Sequence, residues 1–186
     1  MNLATDFINI HQHSSTGINH RKVIGDDKEF NPEFILKEFF KVNEIFIWGY
    51  EYFSNILPKA GLFVWDKTLG NFKGRIGNEF EVCWSKQKHK KEIVRQLWAG
   101  YNGLQTEDTK KREHPTQKPV DLCGYFIDKF SEEDNIIVDL FLGSGSTLIA
   151  CEKTNRICYG MELDPKYVDV ILKRWEDYTG NKAVKL

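Results

Sequence analysis

With 186 residues, 41% of them hydrophobic, and 26 basic against 27 acidic side chains, the chain can bury a core without covalent staples and carries no net charge that would draw it to a polyanion. No stretch approaches the roughly 20 continuous apolar residues of a membrane span. The opening MNLATDFINIHQHSS has neither a basic leader nor an apolar signal core, so a cytoplasmic location is expected.

In chain order, residues 1–27 read as polar and irregular. GDDKEFNPEFILKEFF is a turn followed by an amphipathic helix, with Asn31 as N-cap and Pro32 in the first helical position. NEIFIWGY is a short buried strand ending in glycine, and EYFSNILP has helical spacing that stops at Pro58. AGLFVWDKT and EFEVCWSKQ are two strands across a glycine-rich connection, which predicts an antiparallel pair. Two cation-rich stretches follow, WSKQKHKKEIVR and TKKREH, which suit either a solvated surface or a local phosphate-binding patch. HPTQKPVDLCGYFIDKFS is a proline-stiffened loop that opens a helix, with Pro119 pre-setting the first turn. Then come NIIVDLFLGSG (strand and loop), STLIACEKTN (helix), RICYGMELD (strand) and PKYVDVILKRWEDYTG (helix closed by glycine). This alternation is the pattern of a doubly wound α/β sheet in one domain: an N-terminal segment 1–27, a substrate-side half 28–108 and a cofactor-binding half 109–186. Cys83, Cys123, Cys151 and Cys158 form no CxxC pair, and no His/Cys set has zinc-like spacing, so reduced thiols and no metal are expected.

The loop after VDLF fits a cofactor better than a phosphate. A P-loop needs a lysine ahead of Ser146 and Thr147, and none is present; a dinucleotide fingerprint needs a third glycine where Leu148 stands. The remaining candidate is S-adenosylmethionine, whose loop needs close backbone approach at Gly143 and Gly145 and, further on, a carboxylate for the ribose hydroxyls. Glu162, at the tip of the next strand, supplies one. Asp139 sits just before the turn, where a buried carboxylate needs loop amides or the cofactor's ammonium group as partners.

HPTQKPVDL, VDLFLGSGST and YGMELDPKYVDV together resemble the amino-methylating DNA methyltransferases (adenine-N6 or cytosine-N4) of the permuted group in which the catalytic segment precedes the cofactor segment. FIWGYEYF, GLFVWDK, FEVCWSK and RQLWAGYNG resemble phage-type members, so the likeness runs from about Val23 to Trp175. The resemblance implies a Rossmann-like methyltransferase fold, S-adenosylmethionine as cofactor and double-stranded DNA as substrate. Its cofactor set maps onto His114, Thr116, Gln117, Lys118, Asp139, Phe141, Gly143, Gly145, Ser146, Thr147 and Glu162. Thr116, Gln117 and Lys118 offer hydroxyl, amide and ammonium donors for the cofactor's carboxylate. Phosphate contacts are expected from Lys86, Lys88, Lys90, Lys91 and Arg95, with Lys110, Lys111 and Arg112 as a second patch.

The family's catalytic motif, Asp/Asn/Ser-Pro-Pro-aromatic, has no counterpart, because the chain contains no Pro-Pro. That motif accepts the protons of a poorly nucleophilic exocyclic amine and stacks on the flipped base. Thr5-Asp6-Phe7 is a faint echo, which makes Asp6 the one catalytic candidate. The strand that carries the motif belongs in mid-sheet beside the strand ending at Asp139, and no apolar run ahead of Met1 is there to form it. A sheet lacking one central strand is therefore expected, and with it a marginal monomer. Three explanations follow: a chain shortened at its N-terminus, a subunit completed by a partner chain that carries the motif, or a relative that binds nucleic acid without catalysis.

Overall fold

The computed structural model describes residues 3–8 as backbone path, and residues 24–25, 30–70, 78–97 and 113–186 in full. Seven strands form one mixed sheet: β1 (Leu3–Ile8), β2 (Ile45–Trp48), β3 (Gly61–Asp66), β4 (Phe80–Ser85), β5 (Glu92–Arg95), β6 (Ile136–Asp139) and β7 (Ile157–Gly160), in the spatial order β5-β3-β4-β2-β1-β6-β7. Only β4 runs against its neighbours, pairing antiparallel with both β2 and β3. The remaining pairs, β1 with β2 and β6, β3 with β5, and β6 with β7, are parallel. The expected hairpin is thus present, embedded in an otherwise parallel sheet.

The expected gap in mid-sheet is not. Leu3–Ile8 occupies the position between β2 and β6, with Asp6 in register with Ile45 on one side and Val138 on the other, and Phe7 opposite Asp139. Residues 1–27 therefore include a central strand, and the marginal stability expected from a missing one loses its basis. LATDFI breaks its apolar pattern at Thr5 and Asp6, which is why it does not read as a buried strand from sequence.

Helices cover both faces. On one side α3 (Val120–Phe130) and α4 (Ser146–Lys153) pack on Phe46, Trp48, Phe63, Trp65 and Ile137. Phe126 of α3 is the aromatic hub there, with ring centroids 4.9 Å from Phe46 and 5.3 Å from Phe63. On the other side α1 (Glu33–Glu38) and α2 (Tyr50–Phe53) bring Ile35 and Phe53 onto Ile45, Ile47 and Trp84. β2 alternates Ile45 and Ile47 to one face and Phe46 and Trp48 to the other, all buried, as a strand covered on both sides requires.

Two helix starts differ by one residue from the expected positions. Pro32 occupies the cap of α1 rather than its first turn, while Asn31 Oδ1 still accepts the Glu33 amide at 2.9 Å. Pro119, with φ −59° and ψ 139°, likewise occupies the cap of its helix, α3. The last helix, α5 (Pro165–Thr179), follows expectation, with Pro165 opening it and Gly180 closing it at φ 73°; in addition Asp164 caps it by accepting the Lys166 amide. All four cysteines are unbridged, and three of them are buried. No described helix is long and apolar enough to cross a membrane.

Candidate functional site

Because β1, β2, β6 and β7 are parallel, their carboxyl ends share one edge of the sheet, where ligands bind in open α/β folds. The chain leaves that edge at Asp139, turns through Leu142–Gly145 and enters α4. Gly143 and Gly145 hold φ of 57° and 83°, which L side chains adopt only with strain. A Cβ on Gly145 would also lie 3.2 Å from Ile171 of α5. Gly145→Ala is expected to cost about 1–2 kcal/mol of stability, read as a lower urea midpoint; a wild-type midpoint would contradict the strain.

Glu162 and the glycine loop meet directly. One carboxylate oxygen accepts the Gly143 amide at 2.8 Å and the other accepts the Asp164 amide at 2.9 Å. The loop is further tied to the segment after β7 by Leu142 donating to the Met161 carbonyl at 2.9 Å. A carboxylate has about four acceptor positions, so Glu162 keeps capacity for hydroxyl donors after holding both amides.

Asp139 is 2% exposed and accepts the Phe141 amide at 2.9 Å and a hydrogen bond from Thr147. Burial pushes its carboxyl up from 3.8 to about 6; the two hydrogen bonds and the nearby Lys118 charge oppose that rise, and the Glu162 charge adds to it. Phe141 turns its ring edge onto Phe30, with centroids 5.3 Å apart.

The HPTQKP segment lies against the same loop. The His114 ring is buried, 4.2 Å from the Tyr167 ring of α5, and a Cβ on Gly143 would meet it at 3.6 Å. Its Nδ1 accepts the Thr116 amide at 3.2 Å and lies 3.0 Å from the Thr116 hydroxyl. Gln117 accepts the Glu113 amide through its side chain at 3.0 Å. Ser146 and Thr147 are buried, with the Ser146 hydroxyl donating to the Lys118 carbonyl at 2.7 Å.

Lys118 departs most from expectation. Its ammonium, 3% exposed, pairs with Glu81 of β4 at 2.9 Å and lies over the rings of Trp48 and Trp65, at 4.9 and 5.8 Å. Sequence reasoning did not single out Glu81, Trp48 or Trp65. For Glu81 the signal is a carboxylate in the strand FEVCWS, where an apolar residue would be ordinary; Trp48 and Trp65 lie in the strands IFIW and GLFVWD and carry no local sign of this contact.

The lysines of the first basic segment, Lys86 to Lys91, do not reach this edge. Since β4 runs antiparallel, the loop after it emerges at the opposite edge, beside the amino end of β2, where the Lys86 amide donates to the Ile45 carbonyl at 3.0 Å. The Lys86 ammonium is bound to the carbonyls of Phe40 and Val42, at 2.7 and 2.6 Å. Lys88, Lys90 and Lys91 are exposed at that remote edge. Glu92–Arg95 is an edge strand rather than a loop or helix face, and it carries Arg95 back to the candidate edge, 3.7 Å from Asp66. Lys110, Lys111 and Arg112 lie outside the described residues, and so does the side chain of Asp6.

Comparison with known proteins bears on the fold and the family. The type II methyltransferase M.HinfI of Haemophilus influenzae is 30% identical over 111 residues, which are 56% of this chain and 31% of that protein. The chain spans less than half the length of the curated relatives it matches. Among solved structures, the cytosine-N4-specific PvuII DNA methyltransferase superposes with a TM-score of 0.61 at 16% identity, covering 94% of this chain and 79% of that one. The M1.HpyAVI–SAM complex gives 0.59 at 20% identity, covering 94% and 90%. At such identities these two establish the fold alone. The profile of the N6_N4_Mtase family, DNA methylase, matches residues 7–173, nearly the whole sheet and its helices, and the chain therefore belongs to that family.

Proposed function

We propose that the chain binds S-adenosylmethionine at the β6–β7 edge and transfers a methyl group to an exocyclic amine of double-stranded DNA, N6 of adenine or N4 of cytosine. The observation that carries this reading is the Glu162–Gly143 contact. It sets a carboxylate with remaining acceptor capacity beside a loop that lacks Cβ at Gly143 and Gly145, which suits a ligand presenting vicinal hydroxyls. When bound, the cofactor supplies a methyl group made electrophilic by its sulfonium.

The chain's own residues then divide the work. Glu162 accepts the ribose hydroxyls, Gly143 and Gly145 permit close approach, and Asp139 faces the cofactor's ammonium end. His114 to Pro119 walls the loop from the α3 side. Asp6, on the strand between β2 and β6, takes the role of proton acceptor for the target amine, one register step before Phe7 and Asp139. Arg95, together with Lys110, Lys111 and Arg112 just ahead of His114, contacts DNA phosphates; Lys86, Lys88, Lys90 and Lys91 have no part in this. Work on cellular DNA implies a cytoplasmic location.

The absence of Pro-Pro from the chain favours a second reading, a relative that binds cofactor and DNA without transfer, or one whose motif comes from a partner chain. Incubation with radiolabelled S-adenosylmethionine and plasmid DNA, followed by mass spectrometry of the nucleosides, separates them. The first reading expects a methylated adenine or cytosine, and a loss of about 100-fold in kcat for Asp6→Ala at unchanged S-adenosylhomocysteine affinity. Cofactor and DNA binding without any methylated base would establish the second.

A further inference from the structure

The ion pair between Lys118 and Glu81 is not explained by cofactor contact. Glu81 sits on β4 between two ammonium groups: one oxygen pairs with Lys118, 2.9 Å away, and the other with Lys67 at the end of β3. All three side chains are largely buried, at 3%, 14% and 16% exposure for Lys118, Glu81 and Lys67. An ammonium this deep needs an anionic partner, and Glu81 provides it.

The main chain of Lys118 faces elsewhere. Its carbonyl accepts the buried Ser146 hydroxyl at 2.7 Å, and Ser146 is the first residue of α4, directly after Gly145. The next residue, Pro119, offers its carbonyl to the Leu122 and Cys123 amides, at 3.2 and 3.3 Å, and so fixes the start of α3. A continuous series of contacts thus runs from Lys67 through Glu81 and Lys118 to Ser146, from the β3–β4 hairpin to the turn that the cofactor must approach.

We propose that Glu81 is a positioning residue: by pairing with Lys118 it sets where the His114–Pro119 loop lies against the first turn of α4, and so sets cofactor affinity. This rests on the reading of the glycine loop as the S-adenosylmethionine site. Exchange of a buried ion pair for apolar side chains often leaves stability intact while removing directional restraint, and this separates positioning from simple stabilisation.

The test is isothermal titration of the full chain with S-adenosylhomocysteine, alongside thermal melts. Glu81→Gln is expected to raise Kd about tenfold, since small displacements of a binding constellation are costly. Glu92→Gln, which removes the separate Lys129–Glu92 pair, is expected to leave Kd unchanged. The double variant Glu81→Met/Lys118→Met is expected to melt close to wild type and still bind about tenfold more weakly. Recovery of Kd together with the melting temperature would reduce the pair to a stability device and overturn the proposal. Tighter or unchanged binding by Glu81→Gln would also overturn it, because a lysine released to contact cofactor directly would strengthen binding. A wild-type chain that does not bind S-adenosylhomocysteine would overturn the cofactor reading, and this proposal with it.

Discussion

Replacement of Asp139 by Asn is expected to stabilise the cofactor-free protein at pH 8, and to do so less and less as the pH falls to 4. The folded-state carboxyl titrates near 6, against 3.8 for an unburied one, because only 2% of the residue is exposed. Between these values the folded chain binds more protons than the unfolded chain, so this group's contribution to stability falls as pH rises from about 4 through about 6 and then levels off. A shift of about two units corresponds to roughly 3 kcal/mol of cost at pH 8. Asn removes the charge and keeps an oxygen for the Phe141 amide. Urea unfolding across this pH range checks the claim, and an equal effect of the substitution at pH 4 and pH 8 would exclude ionisation as its source. On the proposal that Asp139 faces the cofactor's ammonium end, affinity for S-adenosylmethionine should move the opposite way and weaken. A residue that destabilises its own fold for the sake of a ligand is common at functional sites.

Glu162→Ala has the other large expected effect, a loss of about 10- to 100-fold in cofactor affinity, which is the range for hydrogen bonds to a charged group. The same substitution strips the Gly143 and Asp164 amides of their acceptor, so the loop loses its anchor in the free protein as well. Glu162→Gln separates the two effects. It keeps the volume and one acceptor oxygen, and should melt nearer to wild type while still binding cofactor more weakly. Titration with S-adenosylhomocysteine decides the matter, and wild-type affinity in Glu162→Ala would remove Glu162 from the site.

Much of the cofactor side was legible in the sequence because its signals are local. Asp164, Pro165 and Gly180 bracket α5 through capping chemistry that needs no tertiary contact. The spacing from Gly143 to Glu162 is one loop–helix–strand unit, so a carboxylate just past the next strand returns to the loop by geometry. β1 escaped because Thr5 and Asp6 interrupt its apolar pattern, and its place in mid-sheet depends on β2 and β6, far along the chain. β5 escaped because Ile93 and Val94 are flanked by Glu92 and Arg95 at the end of a cation-rich run. The remote position of the basic loop was not legible for a different reason. Side-chain alternation reports which face a residue occupies and says nothing of strand direction, and the direction of β4 alone decides where Lys86 to Lys91 emerge. The inward turn of Lys118 depended on Trp48, Trp65 and Glu81, three positions that no local pattern joins to HPTQKP.

The place of β1 also bears on how the chain reaches this structure. Its two neighbours start at Ile45 and Ile136, so the first strand in the chain cannot complete its pairing until one of the last has formed. Parallel pairs of such sequence separation close late, because the entropy of the intervening loop is lost before any contact repays it. Until β6 pairs with it, β1 keeps an open edge that is a template for pairing with other chains. Refolding at high concentration should therefore favour aggregation over the native sheet, and slow dilution or a chaperone that shields Leu3–Ile8 should raise the yield.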